Sequence, residues 1–450
     1  MKYYKATFIW VIILAAVAGF GYIDWEKTRV DEERKDQESR LFKFDISQVV
    51  AIVLEKEGSA MEIERWEDGW RITKPLSAKA DSDAVNQFIE HVTMSRKDAD
   101  YVMDPAPTPE RLQEFGLAKP TVTLTMKVGP ELTPYTLFFG ERGPTMGIAF
   151  ARIKGDEAVY RVLADARSEA DKDAYYFRDK KILRFNPVIV DQLAVNTGEQ
   201  NIRLRLPEDG RWWIEKPISA RADHNRVFEV MGMFFNSQVK EFVDETRENL
   251  DKYGLDKPAA KLSFWQSGDS DVTVSISIGD RNPEKRGYYA SMSDRENVFL
   301  VEEELVNAIP RSAEDLRSRQ AIYFENDRLA RIEIHQTGKM MSLVRDPDKE
   351  WRKGSVTGDK VDYNHVKELL DGLSSIKVRD FVTDKPGNLM EYGLNPPSAQ
   401  ILLYEDSNPA PMYLSLGGKT PAGYIYAQSG AEKSILAIDE SVRGILNLIL

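Results

Sequence analysis

The sequence predicts an α+β fold of three tandem homologous units of mostly antiparallel sheet, each with one capped helix, preceded by one N-terminal transmembrane helix. The main observation is a repeat: Lys-Pro-Leu-Ser-Ala-Lys-Ala-Asp at residues 74–81 returns almost unchanged at residues 216–223, 142 positions later, and in a weaker form ending at Asp362. A fixed period of this kind indicates copies of one structural unit. Period-two runs predict the strands, and an uncharged N-terminal run predicts the membrane helix.

The N-terminal segment, residues 1–25, is predicted to be a transmembrane anchor. Residues 6–23 contain 18 consecutive residues without a charge, and as a helix they would rise about 27 Å, close to the roughly 30 Å of membrane hydrocarbon. Two lysines precede the run, and Tyr22 and Trp25 follow where interfacial aromatic residues are expected.

The basic flank of this anchor predicts its orientation. A positive N-terminal flank favours a cytoplasmic N terminus, so we expect a single-pass protein of the inner (cytoplasmic) membrane with the bulk of the chain periplasmic. A cleaved signal peptide is the alternative, because Ala-Val-Ala at residues 16–18 has the small-x-small spacing of a cleavage site. That site lies inside the apolar run, which favours an uncleaved anchor.

A charged helical stalk is predicted for residues 26–41. The segment is dense in both charge signs and has no glycine or proline. Acidic and basic residues three and four positions apart support a solvated helix. A helix that binds a partner is the alternative, but it would need an apolar stripe that is hardly present.

Four landmarks recur along the rest of the chain at spacings of 138–142 residues. They are a tryptophan, an aspartate, a [Phe/Tyr]-Gly-Leu-x-x-Pro segment and a glycine at the end of a strand: Trp70, Trp212 and Trp351; Asp81, Asp223 and Asp362; residues 115–120, 253–258 and 392–397; Gly140, Gly279 and Gly417. Each unit opens near a phenylalanine. We therefore place repeat units at residues 42–184, 185–323 and 324–450.

The three aspartates are predicted to be helix N-caps, because each precedes apolar residues of helical period. These positions are Val85, Phe88, Ile89 and Val92; Val227, Val230, Met231 and Phe234; Val366, Leu369, Leu370 and Leu373. The Lys-Pro pair before the first two aspartates should end a strand, because proline cannot donate to a sheet ladder.

Further elements follow each helix. Gly116, Gly254 and Gly393 are predicted to end a short helical stretch with positive φ. Alternating runs then predict half-buried antiparallel strands, most clearly at residues 272–278. The expected order in each unit is β-β-β-α, a short helix, β-β-β-β and a closing helical segment, which is an α+β arrangement.

Composition narrows the function. The chain has 450 residues, with 61 basic and 73 acidic side chains and a net charge of −12, which argues against nucleic acid as the main partner. It has no cysteine, which excludes disulfides and cysteine-type zinc sites, and only four histidines, which argues against an imidazole-rich metal centre.

Two motifs resemble ligand sites but lack essential residues. Residues 417–420, Gly-Gly-Lys-Thr, would need an earlier glycine where Tyr413 stands to form a P-loop. The acidic stretch at residues 346–350 would need a glycine where Trp351 stands to form a calcium loop. We expect a strand-ending turn at the first motif and a β-turn at the second.

The remaining candidates also have structural explanations. His224 and His365 follow cap aspartates at unequal distances, which is typical of histidines on a helix surface. The aromatic residues 175–177 and 288–289 could line a groove, but packing is their usual role. No Gly-x-Ser-x-Gly or His-Glu-x-x-His motif occurs. We therefore assign no catalytic, cofactor-binding or metal-binding residue, expect no cofactor, and do not expect an enzyme.

The order of these landmarks, with the closing element Phe-Arg-Asp-Lys at residues 177–180, resembles the domain of unknown function 4340 family of bacterial envelope proteins. The resemblance covers residues 42 to 450 and is weaker in the third unit, which lacks the Lys-Pro pair. Such proteins are often encoded beside ABC-type permeases and the auxiliary component of gliding-motility transporters. The resemblance implies an extracytoplasmic accessory subunit and carries over no catalytic residue.

Three functions remain open on the sequence. The leading hypothesis is a non-enzymatic, membrane-anchored binding or scaffold protein whose partner is an ABC-type permease or another envelope protein. The second is a polysaccharide or peptidoglycan binder, which would cluster exposed aromatic residues in a cleft between units. The third is an envelope hydrolase, which would place two carboxylates about 5–10 Å apart in a deep pocket. The oligomeric state is not indicated.

Overall fold

The computed structural model describes most of the chain and divides into two compact units, Met1–Lys180 and Lys181–Leu450. The described residues are 2–56, 58–142, 147–268, 271–336, 338–406, 408–430 and 432–446, with the side chains of 2–17, 98–101, 142, 408 and 409 left undescribed. Each unit is considered by itself below.

A single helix, α1 (Lys2–Ser39), contains both the uncharged run and most of the charged segment. In its charged part, ion pairs three and four residues apart are present, such as Arg34 with Asp31 at 3.0 Å and Arg40 with Asp36 at 2.8 Å. Asp36 also accepts a hydrogen bond from Arg96 at 2.9 Å, which fastens the end of α1 to the first sheet.

The structure describes the side chains of only part of the predicted anchor. Over the part of the chain that is described, no helix is long and apolar enough to cross a membrane. Residues 6–17, the larger part of the predicted span, lie outside the residues whose side chains are described. The transmembrane anchor therefore stays a prediction.

The first sheet, in Met1–Lys180, has nine strands within the described residues, in the order β4-β3-β2-β1-β6-β7-β8-β9-β5. The strands are β1 (Val49–Lys56), β2 (Ser59–Trp66), β3 (Gly69–Lys74), β4 (Ala78–Lys79), β5 (Lys97–Asp104), β6 (Val122–Val128), β7 (Thr133–Arg142), β8 (Ile148–Ile153) and β9 (Val159–Leu163). The helices of this unit after α1 are α2 (Ser82–Met94), α3 (Pro109–Glu114), α4 (Ala164–Glu169), α5 (Ala174–Phe177) and a 3₁₀ turn at Ile46–Gln48.

The second sheet repeats this arrangement in Lys181–Leu450. Its nine described strands run in the order β13-β12-β11-β10-β15-β16-β17-β18-β14. They are β10 (Val190–Asn196), β11 (Asn201–Arg205), β12 (Trp213–Lys216), β13 (Ala220–Arg221), β14 (Glu241–Asp244), β15 (Ala260–Gln266), β16 (Val274–Asn282), β17 (Gly287–Met292) and β18 (Val298–Glu302). The helices are α6 (His224–Asn236), α7 (Glu303–Asn307) and 3₁₀ turns at Pro187–Ile189, Leu250–Tyr253 and Ala313–Leu316.

The third sheet has the same order with one strand fewer among the described residues, β21-β20-β19-β23-β24-β25-β26-β22. Its strands are β19 (Leu329–Gln336), β20 (Lys339–Arg345), β21 (Trp351–Lys353), β22 (Val378–Thr383), β23 (Ala399–Glu405), β24 (Asn408–Lys419), β25 (Ile425–Ser429) and β26 (Ile435–Ile438). Its helices are α8 (Tyr363–Ser375), α9 (Val442–Leu446) and 3₁₀ turns at Asn326–Arg328 and Leu389–Tyr392. An isolated bridge between Arg352 and Lys360 stands where the short fourth strand lies in the other sheets.

All three sheets are antiparallel and share one topology, which confirms the predicted α+β fold of three homologous units. The predicted element order needs two corrections. In the first two sheets a short fourth strand, β4 or β13, comes before the capped helix. A strand follows each capped helix (β5, β14 and β22) and pairs at the far edge of the sheet with β9, β18 or β26. Strand β14 (Glu-Phe-Val-Asp) has no fully buried residue and β22 (Val-Arg-Asp-Phe-Val-Thr) has one, so neither shows the alternation that marks a half-buried strand.

The capped helices lie on their sheets as predicted. Asp81, Asp223 and Asp362 each accept hydrogen bonds from first-turn amides, so all three are N-caps. The residues that each helix buries are the apolar sets predicted from its period: Val85, Phe88, Ile89 and Val92; Val227, Val230, Met231 and Phe234; Val366, Leu369, Leu370 and Leu373. Each set joins the core of its own sheet.

Two of the recurring landmarks meet in a single contact. Gly116, Gly254 and Gly393 have φ values of 68°, 65° and 66°, as predicted. A Cβ atom on the strand-ending glycine Gly279 would lie 2.1 Å from the carbonyl oxygen of Tyr253, and the equivalent distances for the first and third units are 2.0 and 2.1 Å. The close approach of the two backbones explains why glycine stands at this position in all three units.

Two further details match the sequence. Strands β3 and β12 end at Lys74 and Lys216, where the Lys-Pro pairs were expected to end a strand. Trp70, Trp212 and Trp351 are buried. The boundaries placed at 184/185 and 323/324 stay predictions, as do the limits of the stalk.

Candidate functional site

A buried arginine joins the second and third sheets. The side chain of Arg317 is fully buried, and its guanidinium donates to Asp384 at 2.8 Å and to Glu432 at 2.6 Å. It also donates to the hydroxyl of Ser434 at 2.8 Å and lies 3.8 Å from the centre of the Phe381 ring. Because two carboxylates offset the buried charge and a hydroxyl accepts a further hydrogen bond, this contact fixes the two sheets against each other.

Backbone pairing continues the contact on either side of Arg317. The amide of Asp223 donates to the carbonyl of Leu316 at 2.7 Å, and the amide of Ser318 donates to the carbonyl of Arg221 at 2.9 Å. On the third-sheet side, the amide of Val378 donates to the carbonyl of Arg319 at 2.7 Å. The segment between the sheets is thereby held to both of them.

An open cleft of about 680 Å³ lies at this joint. Its walls come from the turn before β12, the β13–α6 junction, the segment after the Ala313–Leu316 turn and the start of β22. The lining residues are Gly210, Arg211, Trp212, Arg221, Ala222, Asp223, His224, Asn225, Ser318, Arg319, Gln320, Tyr323 and Lys377. The volume is within the range of small-molecule sites, roughly 300–1,000 Å³.

The charge of the lining is strongly positive in a chain whose net charge is −12. Four side chains with permanent positive charge line the cleft, against one carboxylate, that of Asp223. That carboxylate accepts a hydrogen bond from the amide of Arg226 at 3.2 Å in capping α6. The positive charges of the cleft are therefore not neutralised by its own lining.

Arg221 is the most distinctive group of the cleft. Its Nη1 atom is buried and has no hydrogen-bond partner among the described residues. Burial lowers the pKa of the Arg221 guanidinium, and neighbouring Arg211 lowers it further, while Glu432 and Asp209 act in the opposite sense. An arginine remains charged under such shifts, so the cleft holds a partly buried cation with an unused donor.

Arg211 and Arg221 face the same aromatic ring. The guanidinium carbon of Arg211 lies 4.2 Å from the centre of the Tyr323 ring, and that of Arg221 lies 5.3 Å from it. Arg211 also pairs with Glu325 at 2.9 Å. The tyrosine thus holds two guanidinium groups beside the cleft through cation–π contact.

The opposite wall adds two more cations. Lys377 is exposed, and its ammonium group forms no ion pair with the residues that the structure describes. Arg319 donates to the carbonyls of Val378 and Arg379 at 3.3 and 3.2 Å, which leaves its charge without a carboxylate partner among the described residues. Lys377 is therefore free to reach a ligand. Arg319 contributes mainly the electrostatic attraction of its positive charge, because its donors already bond backbone carbonyls.

The start of α6 faces the cleft through His224 and Asn225. Asp223 caps only the amide of Arg226, whereas the equivalent Asp81 accepts from the amides of both Asp83 and Ala84. The first amides of a helix have no partner within the helix. They add a partial positive charge to a wall that is already basic.

This arrangement is suited to holding an anion and has no acid–base pair among the described lining residues. Guanidinium forks and backbone amides bind carboxylate or phosphate oxygens. The single lining carboxylate does not form the pair that the hydrolase hypothesis requires. Over the described residues, no three His, Asp or Glu side chains lie close enough together to hold a metal ion.

The motifs considered on the sequence lie in structural positions. Gly417 and Lys419 are at the end of β24, followed by the predicted turn. In the acidic stretch, Asp346 accepts from the amide of Glu350 and from Arg352 at 2.5 Å, which closes the turn between β20 and β21. These contacts give both segments a structural role.

Of the histidine and aromatic candidates, His224 and Tyr175 depart from their structural interpretations; Tyr175 is 41% exposed instead of packed. Phe177 is fully buried and packs edge-on against Phe88 at 5.1 Å, and Tyr289 packs against Tyr253 at 4.9 Å. His224, expected on a helix surface, is exposed there but also lines the cleft.

The sequence did not point to the cleft. Arg211, Arg221, Tyr323 and Lys377 are ordinary residues when taken singly, and only the packing of two sheets brings them together. One signal was present: the first-unit residue equivalent to Arg221 is Lys79, and the one equivalent to Arg211 is a glycine. The second unit is therefore the more basic of the two at these positions.

The fold and the cleft define a multi-repeat protein of antiparallel sheets with an anion-attracting groove at a joint between repeats. A family model described as a domain of unknown function (DUF4340) matches residues 70–231, 212–385 and 356–448. These segments cover well over half of the chain, which therefore belongs to this family. No curated protein matches the chain.

The matched segments are offset from the sheets. The first matched segment begins at Trp70. Residues 42–69, which include β1 and β2, therefore lie outside it, although the resemblance described from the sequence begins at residue 42. The same segment ends inside α6 of the next repeat. The first two matches therefore run from the third strand of one sheet into or beyond the capped helix of the next, whereas the third lies within the last repeat.

Proposed function

We propose that the chain is a non-enzymatic, membrane-anchored binding or scaffold protein on the extracytoplasmic side of the inner membrane, acting as an accessory subunit of an ABC-type transport system. Its N terminus is cytoplasmic, and its three sheet units are presented to a permease or another envelope component. The basic cleft of Lys181–Leu450 is the place where it holds an anionic group of that partner.

The observation that carries this proposal is the unbalanced charge of the cleft. Arg221 has an unused buried donor, and Lys377 has no ion-pair partner among the described residues. Retaining the partly buried Arg221 with an unused donor costs stability, which a ligand recovers when it binds. A fold maintained for stability alone would gain by replacing it.

The composition of the cleft favours this function over polysaccharide binding. Glycan sites present exposed aromatic faces, but Trp212 is buried and, within the described lining, only Tyr323 offers a partly exposed ring. That ring is itself covered by two guanidinium groups. A charged group is therefore a better match to the cleft than a neutral sugar.

Cross-linking in intact membranes tests the proposal. The full chain should sediment with membranes, remain there in high salt, and recover a permease or envelope partner after cross-linking. The double variant R221Q/K377Q should lose most of that recovery, while K79Q, the equivalent change in the first repeat, should retain it. Recovery that is equal for all three proteins would contradict a role for the cleft.

A further inference from the structure

We propose that the cleft of Lys181–Leu450 recognises a phosphoryl group, or an oxyanion of similar multiple charge, carried on a larger ligand. This inference rests on the proposed function only because both concern the same cleft. It adds the chemical class of the group that the cleft binds.

The number of unneutralised cations argues for more than one negative charge on the ligand. Arg221 and Lys377 have no carboxylate partner among the described residues, and Arg211 lies beside them although it pairs with Glu325. A single carboxylate would balance only one of the two unpaired cations. A phosphate ester carries close to two charges and three oxygens that accept hydrogen bonds.

The donor types match such a group. Arg221 lines the cleft with a planar guanidinium fork, and Lys377 offers a mobile point charge. The amides of His224 and Asn225 lie at the start of a 13-residue helix on the same wall. Phosphate oxygens are commonly bound by this combination of arginine, lysine and helix amides.

The volume of the cleft leaves room for more than a phosphoryl group. A cleft of about 680 Å³ is far larger than a single phosphate ion, which occupies the space of a few water molecules. Tyr323 and the exposed parts of His224 and Asn225 border the remaining space. The attached group is therefore polar or mixed in character, as in a phosphorylated metabolite or a lipid headgroup.

Calorimetric titration of the full-length chain in neutral detergent tests the inference. The probes are inorganic pyrophosphate, glycerol 3-phosphate, a short-chain phosphatidic acid, and acetate as a singly charged control. Saturable binding of a phosphoryl probe, at least about tenfold tighter than acetate, is the expected result, since a charge-assisted bond contributes about tenfold or more. Tighter binding of phosphatidic acid than of glycerol 3-phosphate indicates a lipid headgroup, and equal or weaker binding indicates a soluble ligand.

Matched variants assign the binding to the cleft. R221Q and K377Q should each weaken phosphoryl binding about tenfold or more, and R221K should restore part of it. K79Q, at the equivalent position of the first repeat, and R205Q, on an exposed strand position of the same unit, should stay within about twofold of the original chain. K377Q changes an exposed side chain, so its result holds even if R221Q unfolds.

The results that would refute the phosphoryl ligand class differ from those that would refute the proposed function. No saturable phosphoryl binding, or an equal loss for R205Q and K377Q, would refute the ligand class. If partner recovery from membranes still depends on Arg221 and Lys377 in that case, the partner-binding role stands and only the phosphoryl inference fails. Phosphoryl binding without any partner recovery would instead refute the partner-binding role and leave the ligand class standing.

Discussion

The guanidinium of Arg317 donates to Glu432 at 2.6 Å with the arginine side chain wholly buried. The same group bonds Asp384 at 2.8 Å, so one residue of the second repeat links two segments of the third. This contact joins the two repeats within Lys181–Leu450, and the next residue, Ser318, lines the cleft.

Removing this buried charge should destabilise Lys181–Leu450 strongly. R317Q would leave the carboxylates of Glu432 and Asp384 without their partner, and breaking one side of a buried pair costs about 3–5 kcal/mol. Chemical unfolding of the full chain, followed by hydrogen exchange in both repeats, measures the loss. K367Q, which breaks an exposed pair with Asp371, should cost far less, because solvent screens exposed ion pairs. Equal costs for the two variants would show that the Arg317 contact does not join the repeats.

The strand-ending glycines should not tolerate a methyl group. G279A would place Cβ 2.1 Å from the carbonyl oxygen of Tyr253, so the backbone must move at a cost of about 1–3 kcal/mol or more. G232A provides the opposite control, because Gly232 lies in α6 and its nearest neighbour is 4.0 Å away. That variant should stabilise the protein by up to about 1 kcal/mol. Thermal unfolding of both variants checks the sign, and a stable G279A would contradict the close approach.

The cap aspartates should contribute similar stability in each repeat. D81A, D223A and D362A each remove an acceptor for first-turn amides and should cost about 0.5–2 kcal/mol. Asparagine at the same positions should restore most of the loss, because it also accepts these bonds. Helix-specific hydrogen exchange distinguishes this effect from global unfolding. Any position where alanine has no cost would lose its assignment as a cap.

Stability of the first sheet should fall at low pH through Glu62. Hydrogen bonds from Lys127 at 2.6 Å and Lys74 at 3.0 Å hold the pKa of Glu62 below its ordinary value. A lowered folded-state pKa gives stability that is present above the unfolded pKa, about 4.3, and lost as the pH falls through the folded value. E62Q should therefore cost roughly 1–2 kcal/mol at neutral pH.

The pH dependence of that cost is the decisive part. The difference in unfolding free energy between the original chain and E62Q should shrink toward zero as the pH is lowered below about 4. E64Q is a suitable control, since Glu64 stands two residues along the same strand. A cost for E62Q that does not change between about pH 7 and about pH 3 would show that the lysine contacts do not act through charge.

Much of the fold could be predicted because local chemistry repeats three times. A capping carboxylate, an apolar stripe of helical period and a glycine with positive φ each leave a signal within a few residues, and Asp223, Phe234 and Gly254 illustrate the three. Repetition at one spacing then separated these signals from chance. The edge strands β14 and β22 were not predicted because they are short, mix charged and apolar residues without alternation, and pair on one side only.

The cleft could not be predicted because its geometry is non-local. Arg221 and Lys377 are 156 positions apart, and each stands in a sequence context that suggests only a surface. Their meeting depends on how the segment after Leu316 packs on the third sheet, which the Arg317 contact decides. Charge excess in a pocket is a property of that packing and has no sequence signature of its own.

Site-specific photo-cross-linking in living cells tests the central claim most directly. Asn225 lines the cleft, and Asn364 is the same residue at the equivalent helix position of the third repeat, outside the cleft lining. A photoreactive side chain at position 225 should form a defined adduct that R221Q abolishes, whereas position 364 should form none that depends on Arg221. The same labelling at both positions, unaffected by R221Q, would contradict binding at the cleft.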